Sequence, residues 1–599
     1  MNEQRQHSGK ALQAASRDGH EAVVRQPLDR GADLEAPGDP SNALQLASEG
    51  GHEVIVRLLL DRGAEVNAQG GWRGNALQLA SEGGHETVVR LLLEHGADVN
   101  APGGEPGAAL QAASACGHEA IVRLLLNRGA DVNAQDGDFG NALQAASQGG
   151  HKVIVRLLLE RGAEVNAQGG WRGTALQVAS QGGHEAVVQL LLEEGADVNA
   201  PGGEPGAALQ AASACGHEAI VRLLLNRGAD VNAQDGDFGN ALQAASQGGH
   251  EVIVQLLLNR GADVNASGGI FGNALQAASS GGHEAVVRLL LDRGAEVNAR
   301  GGEHETALQA ACTQNDEATV RLLLDRGAEV NAQGGLFGNA LQMASLSGHG
   351  LIVQLLLEQG AEVNAQGGLH GSALQAASHN GHEAIVCLLL DQGSDIDARG
   401  GIHENALQAA SQHGHLAIVQ MLLDRGAKAN IQGGRYGSAL RAALTPDFRP
   451  PGSFALRKLS KEMAMALWDA GARLYSIPSM AHSEEYIYGL PDMDSMALEG
   501  HPKVSETLAS RRAAREQRAE ALPRVAVLAA RARAAKPRAA ECGRHGGRAR
   551  GHGRGGGANG MTGHIRKRDP CLSPPAMISK SSGNRRRTQS LTVTSIRPL

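Results

Sequence analysis

The chain has 599 residues, a formal net charge of −8 and only 13 aromatic residues. A chain this long with so few aromatic side chains is atypical of one large globular core, which favours an elongated array. Its six cysteines include no CxxC pair, and no segment is apolar enough for a signal peptide or a membrane span. We therefore expect a soluble protein of a reducing, intracellular compartment with no membrane contact.

A short triplet, ALQ or ALR, recurs along most of the chain. After one step of 32 residues every step is 33, and a fixed period of this size indicates a solenoid of stacked helix–turn–helix units. Residues 96–151 are identical to residues 195–250, which points to duplication of a block of three units. The triplet leucines mark fourteen units and are Leu12, Leu44, Leu77, Leu110, Leu143, Leu176, Leu209, Leu242, Leu275, Leu308, Leu341, Leu374, Leu407 and Leu440.

The first unit, residues 1–42, is degenerate. Pro27 stands in its second helix where the regular units have leucine, and a proline inside a helix costs about 3 kcal/mol. We therefore expect this unit to be frayed. Because the sequence shows no cap at this end, we also expect that the array once continued upstream or that the chain is a truncated form.

Residues 43–440 form the regular array, and residues 136–168 show one unit. Asn141 is placed to cap a short helix over 142–147, because its side chain can accept a hydrogen bond from the first helical turn. Two glycines end that helix, a more apolar helix follows over 151–160, and Gly162 ends the second helix. A glycine-rich turn then leads to the next unit.

The repeated pattern GNALQAASxGGHExxVxLLLxxGADVNAQ resembles the ankyrin repeat, including its GH turn and its 33-residue length. The resemblance covers residues 8–475. It implies an all-α ankyrin-repeat solenoid of fourteen helix–turn–helix units, with β-turn fingers beside a concave groove that the first helices line. It also implies a non-enzymatic scaffold that binds a partner protein through this groove and the finger tips.

The first helices depart from the family pattern, since NALQ, TALQ, SALQ or AALQ stands in place of TPLH. This variant resembles the ankyrin arrays that lie C-terminal to NACHT-type NTPase domains in fungal receptor-like proteins. An alternative function is therefore the ligand-sensing portion of such a receptor, although the chain has no GxxxxGK[ST] phosphate loop.

Two series of polar residues follow the period. A histidine recurs in the GH turn, but equivalent positions in stacked units lie about 8–10 Å apart, too far to share one metal ion. We expect these histidines to bond local backbone groups, and we expect each triplet glutamine to tie a neighbouring turn. HExxH, GxSxG and paired zinc cysteines are absent from the sequence. We predict no enzyme activity, no small-molecule substrate, and no catalytic, cofactor-binding or metal-binding residue.

The tip of each inter-repeat turn holds the residues five and four positions before the triplet leucine. Seven of the 13 aromatic residues lie at these tips. Tryptophan, tyrosine and arginine dominate interface hot spots, so the tips are candidates for partner contact, with stacking between neighbouring fingers as the alternative. The predicted partner-binding residues are Trp72, Arg73, Phe139, Trp171, Arg172, Phe238, Phe271, Phe337 and Tyr436.

The later tips are more apolar, because repeats 9 and 11 to 13 pair leucine or isoleucine with phenylalanine or histidine. His304, His370 and His403 at these tips suggest a pH-sensitive strip, with ordinary surface histidines as the alternative. We expect a monomer that binds one protein whose identity the sequence does not name.

Residues 441–500 contain a variant last unit. Gly471 lies 45 residues after Gly426, so this unit carries a 12-residue insertion. Trp468 is placed for burial, while Arg441 and Lys458 add polar positions. Such a composition suits a cap that covers the last apolar face of a solenoid.

Residues 501–599 form a basic tail, with 22 Lys and Arg against 5 Asp and Glu, whereas residues 1–500 have 33 against 58. Its Arg, Ala and Gly content predicts disorder. Two clusters suggest nuclear-import or nucleic-acid contacts beside a cytoplasmic location, with a solvated tail or a mispredicted reading frame as alternatives. A third hypothesis is that the tail folds back on the acidic array. The clusters are Arg566, Lys567 and Arg568, and Arg585, Arg586 and Arg587.

Overall fold

The computed structural model describes residues 2–35, 41–70, 74–104, 107–137, 140–169, 173–203, 206–444 and 454–473. The basic tail and its two cationic clusters lie outside these ranges. Within them the chain is all-helical, with two helices in each of fourteen units, which confirms the predicted solenoid.

The first helices of the units are short in the regular array and have odd numbers here. They are α1 (Asn2–Arg17), α3 (Ala43–Glu49), α5 (Ala76–Glu82), α7 (Ala109–Ala115), α9 (Ala142–Gln148), α11 (Ala175–Gln181), α13 (Ala208–Ala214), α15 (Ala241–Gln247), α17 (Ala274–Gly281), α19 (Ala307–Ala311), α21 (Ala340–Ser347), α23 (Ala373–Asn380), α25 (Ala406–His413) and α27 (Ala439–Leu444).

The second helices have even numbers. They are α2 (Glu21–Asp29), α4 (Glu53–Asp61), α6 (Glu86–Glu94), α8 (Glu119–Asn127), α10 (Lys152–Glu160), α12 (Glu185–Glu193), α14 (Glu218–Asn226), α16 (Glu251–Asn259), α18 (Glu284–Asp292), α20 (Glu317–Asp325), α22 (Gly350–Glu358), α24 (Glu383–Asp391), α26 (Leu416–Asp424) and α28 (Phe454–Asp469).

Most first helices of the regular array begin at a side-chain cap, whereas α7 and α13 begin at Ala108 and Ala207, whose side chains make no capping hydrogen bond. In α9 the Asn141 side chain accepts a hydrogen bond of 2.9 Å from the backbone N–H of Gln144. The Gln144 side chain in turn accepts one of 2.8 Å from the backbone N–H of Asn141, which completes a capping box. The predicted cap at Asn141 is therefore confirmed, and such a cap contributes about 1 kcal/mol to a helix of only seven residues.

Alanine and branched aliphatic residues build the core. In one unit Ala146, Val155 and Leu158 are fully buried, and Leu143 and Ile154 are almost so. First helices pack on the first helices of both neighbouring units, while second helices form an outer layer. Alanine lets the first helices approach closely, which explains why the regular helices need no aromatic side chain.

An asparagine in the loop after most second helices ties one unit to the next, and Glu35 and Asp397 take its place in the first and twelfth units. Asn133 donates from Nδ2 to the carbonyl of Gly162 at 3.1 Å, and its Oδ1 accepts from the backbone N–H of Glu164 at 2.9 Å. The pattern extends into the last unit, where Asn430 donates to the Gly471 carbonyl at 2.8 Å. The insertion before α28 therefore leaves the stacking intact, and Trp468 is buried in this capping helix as predicted.

The first unit differs from its prediction. Helix α2 continues through Pro27, whose ring is buried beside Val24 and Leu28. Pro27 lies in the last turn, so only one helical hydrogen bond is lost, and its ring fills the position that leucine fills elsewhere. The expected fraying of this second helix is not seen in the structure.

Candidate partner-binding surface

The fingers are short β-turns between units. Within the described residues, a single antiparallel β-bridge closes each of several fingers at its base. The bridges join Gly104 to Gly107, Asp235 to Gly239, Gly268 to Gly272, Gly301 to Glu305, Gly334 to Gly338, Gly367 to Gly371, Gly400 to Glu404, and Gly433 to Gly437. This confirms the β-turn fingers that the sequence predicts.

The triplet glutamine of a first helix holds the next finger in place. Gln243 in α15 donates from Nε2 to the carbonyls of Ala266 (3.1 Å), Gly268 (3.3 Å) and Gly272 (2.8 Å), on both sides of the following finger. Its side chain is 1% exposed, so these bonds form away from water. The prediction that each glutamine ties a neighbouring turn is confirmed at this position.

The GH-turn histidines bond backbone groups of the preceding unit and not the local backbone that the sequence predicts. His151 Nε2 lies 3.0 Å from the carbonyl oxygen of Ala115, at the end of the previous first helix. Asp316 occupies the same position in repeat 10 and accepts a bond of 3.2 Å from the backbone N–H of Thr319 instead. The series therefore joins neighbouring units and does not gather at one point.

Neighbouring fingers also bond to each other through their backbones at the first tip residue. The N–H of Ile270 donates to the carbonyl of Asp237 (2.8 Å), that of Leu369 donates to Leu336 (2.8 Å), and that of Ile402 donates to Leu369 (3.0 Å). The side chains of these residues point away from the core, with exposed fractions of 41% for Ile270, 57% for Leu336, 37% for Leu369 and 42% for Ile402. We call Ile270, Leu336, Leu369 and Ile402 the tip row.

The second tip residues turn the other way. Phe238 and Phe271 are half-buried and stack with their ring centroids 6.1 Å apart, and Phe337 packs against the core. Tyr436 is 8% exposed, and its hydroxyl accepts a 3.1 Å hydrogen bond from Gln412. Phe238 and Phe271 therefore stack between neighbouring fingers, whereas Phe337 and Tyr436 contact the rest of their units. Partner contact by these four residues stays a prediction. Trp72, Arg73, Phe139, Trp171 and Arg172 lie outside the described residues.

The tip histidines of repeats 12 and 13 are not surface residues. His370 is 7% exposed and His403 is 4% exposed, so the expectation of a pH-sensitive surface strip is wrong for these two. Burial lowers the pKa of His370, and burial with the nearby His413 lowers the pKa of His403 to about 4. Both imidazoles are consequently neutral near pH 7.

The outer helices carry charges that pair among themselves. Arg57 bonds Glu53 at 3.0 Å one turn away in α4, and the same pairing recurs in α6, α18 and α20. All of these side chains are more than a third exposed, so each pair contributes about 0.3–0.5 kcal/mol at most. The apolar tip row and this polar outer layer thus give the array two chemically different faces.

Two motifs of the structure were missed by sequence reasoning. From the sequence, the tip row is only a more apolar stretch. The prediction of partner contact fell on the rarer aromatic residues beside it. His379 and His413, which lie next to the buried tip histidines, were not singled out. The signal was present, since His379 stands five and His413 six residues after the triplet leucine, at positions where the other units have no histidine.

Comparison with known families agrees with the geometry. A model described as "Ankyrin repeats (3 copies)" matches residues 67–136, 110–202, 143–235, 208–301, 242–334, 276–367 and 341–433. A second, described as "Ankyrin repeat", matches residues 41–71. Together they span residues 41–433, which is more than half of the chain.

The solved structure of the human ASB11 ankyrin repeat domain is 26% identical to the chain. The match covers 37% of this chain and 99% of that domain, with a TM-score of 0.34, which is too low to bear on how the units are arranged. A comparison with curated proteins found no match.

Ankyrin repeats are generally protein–protein interaction modules, and their fold is typically non-enzymatic. No helix among the described residues has the length and apolar character that crossing a membrane requires. Four observations indicate the same family: the 33-residue period, the bridged fingers, the two helices of each unit and the match to the family model. The chain belongs to the ankyrin repeat family.

Proposed function

We propose that this array is a non-enzymatic scaffold that binds a partner protein along its fingers and first helices, with the tip row at the centre of the contact. The observation that carries the proposal is the exposure of four large aliphatic side chains at equivalent finger positions. Backbone hydrogen bonds between fingers hold three of them in line, from Leu336 to Leu369 and from Leu369 to Ile402.

Burying a side chain of this kind at an interface contributes about 1.5–3 kcal/mol. The fingers are already ordered by the glutamine and backbone bonds, so a partner does not need to order them on binding. Trp72, Arg73, Trp171 and Arg172 stand at equivalent tips of repeats 3 and 6, and Phe139 stands at that of repeat 5. In this proposal they extend the same surface toward the N-terminus.

Removing the apolar tips is expected to abolish partner capture. We would compare the full chain with a variant that combines Ile270→Ser, Leu336→Ser, Leu369→Ser and Ile402→Ser, in affinity capture from cells that express the protein. The affinity of the captured partner is expected to fall by about 100-fold or more, since a few central apolar residues dominate such interfaces. Calorimetry with the purified partner measures this change.

The outer layer offers a matched control, because it exposes aliphatic side chains of similar size. Val54, Val153, Val252 and Leu351 are 51–65% exposed near the start of second helices. Their replacement by serine removes comparable apolar surface from the other layer and should leave capture unchanged. The proposal fails if the outer variant loses the partner and the tip variant retains it.

A further inference from the structure

Four histidines form one cluster between repeats 12 and 13. His370 and His403 come from neighbouring fingers, while His379 and His413 come from the last turns of α23 and α25. The ring centroid of His379 lies 4.6 Å from that of His370, 4.9 Å from that of His403 and 4.0 Å from that of His413. The units therefore bring together imidazoles that are up to 43 residues apart in sequence.

One ring nitrogen from each of His370, His379 and His403 lies within 4.8 Å of the other two. His379 Nδ1 and His403 Nε2 are only 2.9 Å apart. Nitrogen ligands at about 2.0–2.1 Å from a tetrahedral metal ion are about 3.3 Å from one another. Small rotations of the imidazole rings would bring the three nitrogens to that spacing.

The cluster has buried polar atoms that the protein leaves unsatisfied. Among the described residues, nothing hydrogen-bonds to Nδ1 of His370 or to Nε2 of His413, and both atoms are buried. The His370 side chain belongs to a residue that is only 7% exposed. A buried nitrogen without a hydrogen-bond partner destabilises a folded protein, so its presence calls for an explanation.

Packing alone does not supply that explanation. The position of His370 and His403 is filled by Phe271, Phe337 and Tyr436 in other units, so an aromatic ring without an imidazole nitrogen fits there. A neutral imidazole has a free lone pair, which is the form that binds metal ions.

We propose that His370, His379 and His403 form a binding site for a divalent transition-metal ion of the class that imidazole prefers, such as Zn²⁺. Neutral imidazoles suit zinc, copper, iron and nickel, whereas calcium and magnesium require oxygen ligands. A bound ion would join the fingers of repeats 12 and 13 to helix α23. His413 supplies a fourth imidazole beside the three ligands.

The test uses the full chain, expressed without a histidine tag and treated with a chelator. Titration with Zn²⁺ by calorimetry is expected to show one tight site for each chain. Co²⁺ provides a second measurement, because coordination by histidine nitrogens gives visible absorption bands. A ligand variant combines His370→Phe, His379→Gln and His403→Phe, which are residues that other units carry at these positions.

The dissociation constant of the ligand variant for Zn²⁺ is expected to rise by more than about 100-fold. Removing a group that only hydrogen-bonds to a metal ligand already lowers metal affinity by about 10–100-fold. The matched control is His304→Phe, which replaces the tip histidine of repeat 10, outside the cluster. It should keep the wild-type affinity. Absence of a stoichiometric site in the wild type, or equal affinity in the ligand variant, would overturn the proposal, and circular dichroism without metal checks that the variant is folded.

Discussion

Replacing Gly368 by alanine is expected to lower the free energy of unfolding of its part of the array by about 2–5 kcal/mol. Gly368 has a φ of 60°, where a side chain is strained. A Cβ there would also lie 2.4 Å from the carbonyl carbon of Phe337 and 2.5 Å from the backbone nitrogen of Gly338. These are backbone atoms of the neighbouring finger, so the two fingers would have to move apart.

Gly360→Ala is the matched control for this prediction. Gly360 has a φ of 85°, but a Cβ there meets nothing within 4 Å. Gly360→Ala should therefore lower the free energy of unfolding only by the strain of the left-handed backbone, about 1–2 kcal/mol. Urea denaturation of both variants measures the difference, and equal losses would show that close approach of the fingers does not contribute.

Replacing Gln243 by leucine is expected to lower the free energy of unfolding by about 2–4 kcal/mol. Leucine has a similar volume, but it removes the side-chain donor to the carbonyls of Ala266 and Gly268 and the acceptor of the Asn240 N–H. The Gly272 carbonyl keeps its bond from the Gly268 N–H. Each unsatisfied buried polar group costs about 1–3 kcal/mol. Because units in a repeat array stabilise one another mainly through nearest neighbours, we expect unfolding to separate into two transitions on either side of this position.

Gln189→Leu serves as the control for the glutamine prediction. Gln189 lies exposed on α12 and bonds only the exposed side chain of Glu193, at 2.9 Å. Its replacement should change stability by less than about 0.5 kcal/mol. Calorimetric and urea unfolding of both variants test the account, and a Gln243→Leu variant that unfolds like wild type would contradict it.

The repeating elements could be predicted from the sequence because the signals that define them are local. The cap at Asn141, the glycines after the first helix and the apolar second helix all lie within 33 residues and recur. The glutamine contacts were also predictable, because an amide that recurs in the first helix of thirteen units must find hydrogen-bond partners there. The capping unit followed from the same period despite its insertion.

The orientation of the tip residues could not be read from the sequence. Ile270 faces outward and Phe271 inward because the backbone of Ile270 bonds Asp237, a residue 33 positions earlier. That bond joins two turns, and no residue pattern near Ile270 in the sequence indicates it. The sequence therefore left partner contact and stacking between fingers open for the aromatic residues, and the structure shows that stacking for Phe238 and Phe271.

The histidine cluster was missed for a related reason. Metal motifs were sought at fixed spacings on one element, whereas His379 and His403 lie 24 residues apart on a helix and the next finger. The GH-turn series, which follows the period, was correctly excluded as a shared site. Placing the tip and helix-end positions of adjacent units side by side would have shown the cluster.

Hydrogen–deuterium exchange of the full chain with and without its captured partner tests the central claim most directly. We expect the backbone amides of four fingers to exchange more slowly when the partner is bound. These are the fingers of repeats 9 and 11 to 13, residues 268–272, 334–338, 367–371 and 400–404. We expect no change in the outer helices α16, α18, α22 and α24. Protection confined to those outer helices or to the basic tail, with unchanged fingers, would contradict it.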